Sequence, residues 1–292
     1  MTAIAISAPA ARRHRDGLLV RAVRVRRTRI GLALTLLVLA TAFLGPLVAP
    51  HGVDDFVGGP YLAESPGTVF GTDNLGRDVL TRFLHGGQLL LVLSLLATLI
   101  GVGIGAAVGV TAGYRRGWVD ETLMRTGDVL LAFPQVVVAL LFLSILGPQL
   151  WLIVLIVGLS HAPRVARVIR GATLGVAERD FVKAAEAAAV PRWRIAFSEI
   201  LPNVTGALMV ELGLRLTYSI GLIAALSFLG LGLQPPTADW GLMINENRVA
   251  LTVSPWAVVL PVTAIAVLTI GTNLITDGLS RASAGIDRGV TR

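Results

Sequence analysis

Glu211 and Arg215 stand four residues apart inside a long apolar stretch, Val204 to Leu233, and their types and spacing invite a chemical reading. On a helix that spacing puts carboxylate and guanidinium on one face, one turn apart. Counting about 1.5 Å per residue from Asn203, they lie roughly 12 and 18 Å into a membrane-crossing helix, where neither charge should face lipid. Two roles stay open. The pair either neutralises itself against neighbouring helices or lines a polar path through the bilayer, where it attracts the charged ends of a solute.

Other constellations are missing. Gly101, Gly103 and Ala106 fit a dinucleotide-binding pattern, but they sit deep in an uncharged stretch with no strand before it, so the match is spurious. Gly101, Gly105, Gly109 and Gly113 recur every fourth residue and instead predict a smooth stripe for close helix packing. The single lysine, Lys183, follows Val182, so no phosphate-binding loop ending in Gly-Lys exists here. There is no HExxH and no GxSxG; His14, His51, His85 and His161 are scattered, and cysteine is absent. No catalytic residue and no metal site is expected, and any nucleotide must be bound by another subunit.

Mean hydropathy is +0.75 and only 15% of residues are charged, more apolar side chain than one soluble core of 292 residues would bury. The bilayer is the implied solvent. Uncharged stretches predict six spans at about 30–49, 89–112, 129–147, 150–172, 204–230 and 255–275. The fourth lengthens if Arg164, Arg167 and Arg170 snorkel along one face. A net charge of +7 invites nucleic-acid binding, so position must decide. Of the basic residues, 21 lie in residues 1–29 and on alternate loops, against three on the other loops, which places both termini in the cytoplasm and excludes a nucleic-acid role. The first apolar stretch lacks a cleavage site and is read as a permanent span. The chain divides into a basic segment 1–29, a membrane domain 30–282 and a tail 283–292.

Between spans four and five lies a cytoplasmic loop, 180–203. Asp180 predicts a helix cap and Pro191 the first turn of a second helix. There Trp193, Ala196, Phe197 and Ile200 fall on one apolar face, suited either to lying on lipid or to docking in a groove on another protein. On the opposite side, Asp73 and Arg77 pair if their segment is helical, Gly71 and Gly76 permit turns, and Trp240 predicts an interfacial anchor.

The run Phe181 to Pro191, continuing through Ile200, Leu201, Pro202 and Asn203, resembles the EAA loop of ATP-binding-cassette importer permeases. Lys183 stands where that family's name expects glutamate, beside Ala184, Ala185 and Glu186, and Ala189 stands where glycine is usual. Phe70 to Arg82, with Gly71, Asp73, Gly76, Arg77 and Asp78, and Ser227 to Pro236 with Trp240 and Gly241, are similar to signatures of the C-type subunit in dipeptide, oligopeptide and nickel importers. Ala112 to Tyr114, Gly117 to Asp120 and Asp128 to Pro134 fit as well, so the resemblance runs from about Ile30 to Ala282.

It implies an all-α integral membrane protein of six transmembrane helices with the type I, MetI-like permease fold. It further implies a second homologous permease subunit, two ATPase subunits carrying ATP and Mg, and an extracytoplasmic substrate-binding protein. This chain would bind no cofactor and would couple to the ATPases through Lys183 to Asn203. The family handles dipeptides, longer peptides, nickel complexes and haem. The alternative is an ion-gradient-driven secondary transporter, although no internal repeat is visible.

Overall fold

The computed structural model describes residues 18–63 and 66–284; the rest of the basic leader and the end of the tail lie outside the described residues. Apolar runs become helices because a bilayer offers no partner for an open backbone. Helix α1 (Leu18–Arg24) leads into α2 (Arg26–Leu44). An irregular segment precedes α3 (Val79–His85), and α4 (Gln88–Arg115), α5 (Gly117–Leu131), α6 (Gln135–Leu146) and α7 (Leu150–Ala177) follow. Then come α8 (Asp180–Ala187), α9 (Arg192–Arg194), a π-helical turn (Ile195–Ile200) and α10 (Leu201–Asn203). The chain closes with α11 (Thr205–Phe228), α12 (Trp240–Asn247) and α13 (Trp256–Ala284).

Among the described residues, five helical stretches are long and apolar enough to cross a membrane: Arg26–Val48, Val79–Arg115, Leu150–Ala177, Thr205–Phe228 and Trp256–Ser283. The third expected span, 129–147, differs from a straight helix, because α5 and α6 meet at 76°. Pro134 has no amide proton and disfavours helical backbone at Phe133, so the break falls there. Helix α6 has 12 residues, roughly 18 Å, and cannot cross a bilayer core of about 30 Å alone.

The glycine stripe shows that the bent pair is nonetheless one crossing. A methyl group on Gly101 would stand 2.6 Å from the Gly158 carbonyl oxygen, one on Gly105 2.7 Å from that of Ala162, and one on Gly109 2.6 Å from that of Ala166. On Gly113 it would stand 2.9 Å from that of Arg170. Both series rise together, so α4 and α7 run parallel. The chain between them must therefore return across the whole thickness, through α5 and α6.

Elsewhere the neighbours are antiparallel. Thr28 lies against Gly278 and Thr35 against Gly271, and on the other pair Thr217 donates to Thr272 at 2.9 Å while Gly213 abuts Thr276. Six alternating crossings result, with Thr28 and Gly278 on the same side as the loop before α11.

Two apolar cores fill the bundle. One gathers Val38, Leu90, Leu93, Ile153, Ile220, Leu226 and Trp240; the other gathers Val102, Val165, Ile169, Val182, Ile195 and Ile200. Along α4, α7 and α11 the boundary between them falls at one level, and there the buried side chains turn polar.

Candidate functional site

The loop between α7 and α11 is built of short helical pieces tied by backbone hydrogen bonds. Helix α8 starts with Asp180, whereas Arg179 holds the cap position without a side-chain bond, so Asp180 is not the cap. At its other end the Ala189 amide donates to the Glu186 carbonyl at 2.9 Å, and the Val190 amide to the Ala185 carbonyl at 3.1 Å. This paired reversal is a Schellman ending, which needs a left-handed residue, and Ala189 supplies it at φ 55°.

The predicted apolar face of the next helix is split. Over Ile195–Ile200 the backbone widens to a π-helix, which shifts side chains around the axis. Ile195 and Ile200 turn into the core and Ala196 is half-buried, whereas Trp193 and Phe197 are 67% and 66% exposed. Lys183, Ala184, Glu186, Pro202 and Asn203 are exposed; Ala185 and Leu201 are half-buried. The Asn203 side chain donates to the Glu199 carbonyl at 2.7 Å, tying the loop to the start of α11.

Near this end α5 is fastened to α7. Arg170 donates to Asp120 at 2.6 Å and Arg167 pairs with Asp128, so two of the three arginines expected to snorkel instead meet acids of the bent crossing. Arg116 pairs with Glu178 at 3.0 Å.

At the polar level between the cores, Arg215 Nε donates to Glu211 Oε2 at 3.0 Å. Both residues are buried, and the guanidinium lies 5.2 Å from the Tyr218 ring centre. One turn further, the Ser219 hydroxyl meets Thr98 Oγ1 at 3.0 Å and His161 Nε2 at 3.1 Å. Sequence reasoning missed His161, Ser219 and Thr98, although Ser219 continues the four-residue spacing of Glu211 and Arg215.

On the opposite side the two signature runs form one body. Asp73 accepts from the Leu75 and Arg77 amides, each at 2.9 Å, and from Arg77 Nε at 2.8 Å. The segment is a loop rather than a helix, and Gly76 at φ 85° lies so close to the Gly58 carbonyl that no side chain fits. Arg82, fully buried, reaches Asp73 at 3.4 Å and donates to the Pro236 carbonyl at 3.3 Å and the Thr237 carbonyl at 3.4 Å. Glu246 of α12 approaches Arg77 at 3.5 Å and Arg82 at 3.8 Å. Burial pushes the Glu246 carboxyl up, and the two arginines oppose that shift. Asp78 caps α3 by accepting from the Thr81 amide at 3.0 Å.

Trp240 is a buried plug, not the expected interfacial anchor. Its indole N–H donates to the Phe83 carbonyl at 2.9 Å, its ring stacks on Phe83, and Gly86 and Gly87 leave room for it. Asp239 caps α12 through the Leu242 amide, and burial lifts its carboxyl to about 6, against hydrogen bonds from Leu242, Ser227 and Gly241.

Six alternating crossings, a loop with outward aromatics and a polar level inside the bundle define a multi-pass membrane protein. Residues 101–284 match the model of the binding-protein-dependent transport system inner membrane component, and the chain belongs to that family.

Among its relatives, the glutathione transport system permease protein GsiD of Pectobacterium atrosepticum is 35% identical over 249 residues, covering 85% of this chain and 83% of that one. GsiD of Escherichia coli O157:H7 is 35% identical over 264 residues, covering 89% and 87%. A chain from the solved inward-facing MetNI methionine ABC transporter shares the fold at a TM-score of 0.55 and 17% identity, over 71% of this chain and 97% of that chain.

Proposed function

We propose that this chain forms half of the substrate path of a peptide importer and pairs with a second homologous permease subunit. Two ATPase subunits bind ATP and Mg and grip the loop Lys183 to Asn203 on the cytoplasmic side, where both termini also lie. An extracytoplasmic binding protein delivers substrate to the side built from Gly71 to Asp78 and α12. ATP binding moves the loop, and the crossings reorient around the path in alternating access. No bond of the substrate is broken by this chain.

One observation carries the reading. Trp193 and Phe197 project outward from a loop whose backbone is pinned behind them by Ile195, Ile200 and the Schellman ending. Large exposed aromatics on a fixed frame suit a groove on a partner. A peptide substrate is supported by the GsiD relatives, whose named cargo, glutathione, is itself a peptide.

The test is purification of the tagged chain with its neighbours, followed by uptake in proteoliposomes. Co-purifying ATPase subunits and vanadate-sensitive peptide uptake are expected, together with labelling of a cysteine at position 193 from the inner face alone. Uptake driven by an ion gradient without ATP would instead identify a secondary transporter, and labelling from outside would overturn the orientation.

A further inference from the structure

The Glu211–Arg215 pair is joined at a single point. Glu211 Oε2 takes the Nε proton, at 3.0 Å, and no described residue accepts from the two terminal nitrogens of the guanidinium. These nitrogens, and Glu211 Oε1, are not completely sealed, although Arg215 as a whole is only 8% exposed. A purely structural pair at this depth would satisfy its remaining donors within the bundle, because unpaired polar groups in a low-dielectric surrounding are costly. Here Nε is held by Glu211, and the terminal nitrogens find no acceptor among the described residues.

Tyr218, 60% exposed, lies beside the guanidinium, its ring centre 5.2 Å from Arg215 Cζ. Behind it, Ser219, Thr98 and His161 make this the level where polarity runs through α4, α7 and α11 between the two apolar cores. A planar, pre-oriented fork of two donors matches a carboxylate, which it binds in bidentate fashion.

We infer that Arg215, oriented by Glu211 and flanked by Tyr218, recognises the free carboxylate of the transported peptide midway along the path. This rests on the peptide-permease reading above. The polarity of the site follows: a peptide whose terminus is amidated offers no partner to the fork and carries only a positive charge toward it.

Phenylglyoxal, which modifies accessible guanidinium groups, tests this on the assembled wild-type transporter in proteoliposomes, with Arg215 followed by mass spectrometry. Arg215 is expected to react, and dialanine at ten times its Kd should slow that reaction about tenfold, whereas dialaninamide should leave it unchanged. In a Tyr218→Ala transporter protection by dialanine should weaken. Failure of Arg215 to react in a complex that takes up peptide, including the case where it reacts only in the isolated subunit, overturns the inference. So does equal protection by the amide. Each of these leaves the permease reading intact, whereas absence of ATP-dependent uptake removes that reading itself.

Discussion

The Val190 amide donates to the Ala185 carbonyl at 3.1 Å, and this bond holds the intervening Ala189 in the left-handed region at φ 55°. For a residue with a Cβ that conformation costs roughly 1–2 kcal/mol, which glycine escapes. Ala189→Gly should therefore tighten the end of α8 by about 1 kcal/mol, seen as about fivefold slower hydrogen exchange at Val190. A β-branched Ala189→Val should speed exchange and loosen ATPase binding. Equal exchange in all three proteins would mean that the turn is not strained.

Much of this architecture is legible in the sequence because a bilayer leaves few options: apolar length gives the crossings and the glycine spacing gives the α4–α7 contact. What escaped depends on side chains finding partners far along the chain. Trp240 reads as an interfacial anchor until Gly86 and Gly87 make room for it. Asp73 and Arg77 have helical spacing, yet they are joined by a loop that folds around the carboxylate. The aromatic face of the loop 180–203 reads as one stripe because a 3.6-residue period is assumed, and the π-helical turn at Ile195–Ile200 breaks it. The polar cluster around Arg215 is visible only in part, since Thr98 and His161 come from other helices.

The stripe predicts opposite outcomes for neighbouring glycines. At Gly105 a methyl group would stand 2.5 Å from Val165 Cβ, so Gly105→Ala must push α7 away and should cost about 1–3 kcal/mol through overpacking. Gly103, with nothing within 4 Å of its hypothetical Cβ, faces open space, and Gly103→Ala should be neutral or stabilise the helix by up to about 1 kcal/mol. Thermal aggregation of the two purified variants in one detergent distinguishes them. Similar midpoints would show that α4 and α7 are not in close contact.

Asp239 makes stability depend on pH. Burial raises its carboxyl from the ordinary 3.8 to about 6, so the folded state prefers the protonated form. The resulting stabilisation is fully present below pH 3.8 and disappears as pH rises through 6. The full change is roughly 3 kcal/mol. Hydrogen exchange in α12 should therefore quicken from pH 4 to pH 7 beyond the intrinsic rate. Asp239→Asn keeps the acceptor for the Leu242 amide but cannot ionise, and should remove that excess.

Trp240 separates packing from hydrogen bonding on the opposite side of the bundle. Trp240→Ala empties a fully buried site between Phe83, Gly86 and Gly87 and should cost about 3–5 kcal/mol, enough to lose folded protein. Trp240→Phe keeps the stacking on Phe83 but leaves the Phe83 carbonyl without its donor, a loss of about 1 kcal/mol. The yield of monodisperse protein in size-exclusion chromatography should follow that order. Wild-type behaviour of the alanine variant would contradict the plug.

The exposed aromatics of the loop 180–203 should behave in the opposite way to Trp240. Trp193 and Phe197 leave the bundle, while Ile195 and Ile200, which hold their backbone, point into it. Truncating both aromatics to alanine removes almost no buried contact within the chain and should leave its thermal stability unchanged within about 0.5 kcal/mol. At a partner's groove the same two residues fill desolvated space, where aromatic anchors are worth about 2 kcal/mol or more each. Retention of the ATPase subunits during purification should therefore fall by more than tenfold, and peptide uptake with it. Ile195→Ala should instead lower stability directly, by about 2–5 kcal/mol. A double variant that keeps its ATPases and its transport would contradict docking through these aromatics.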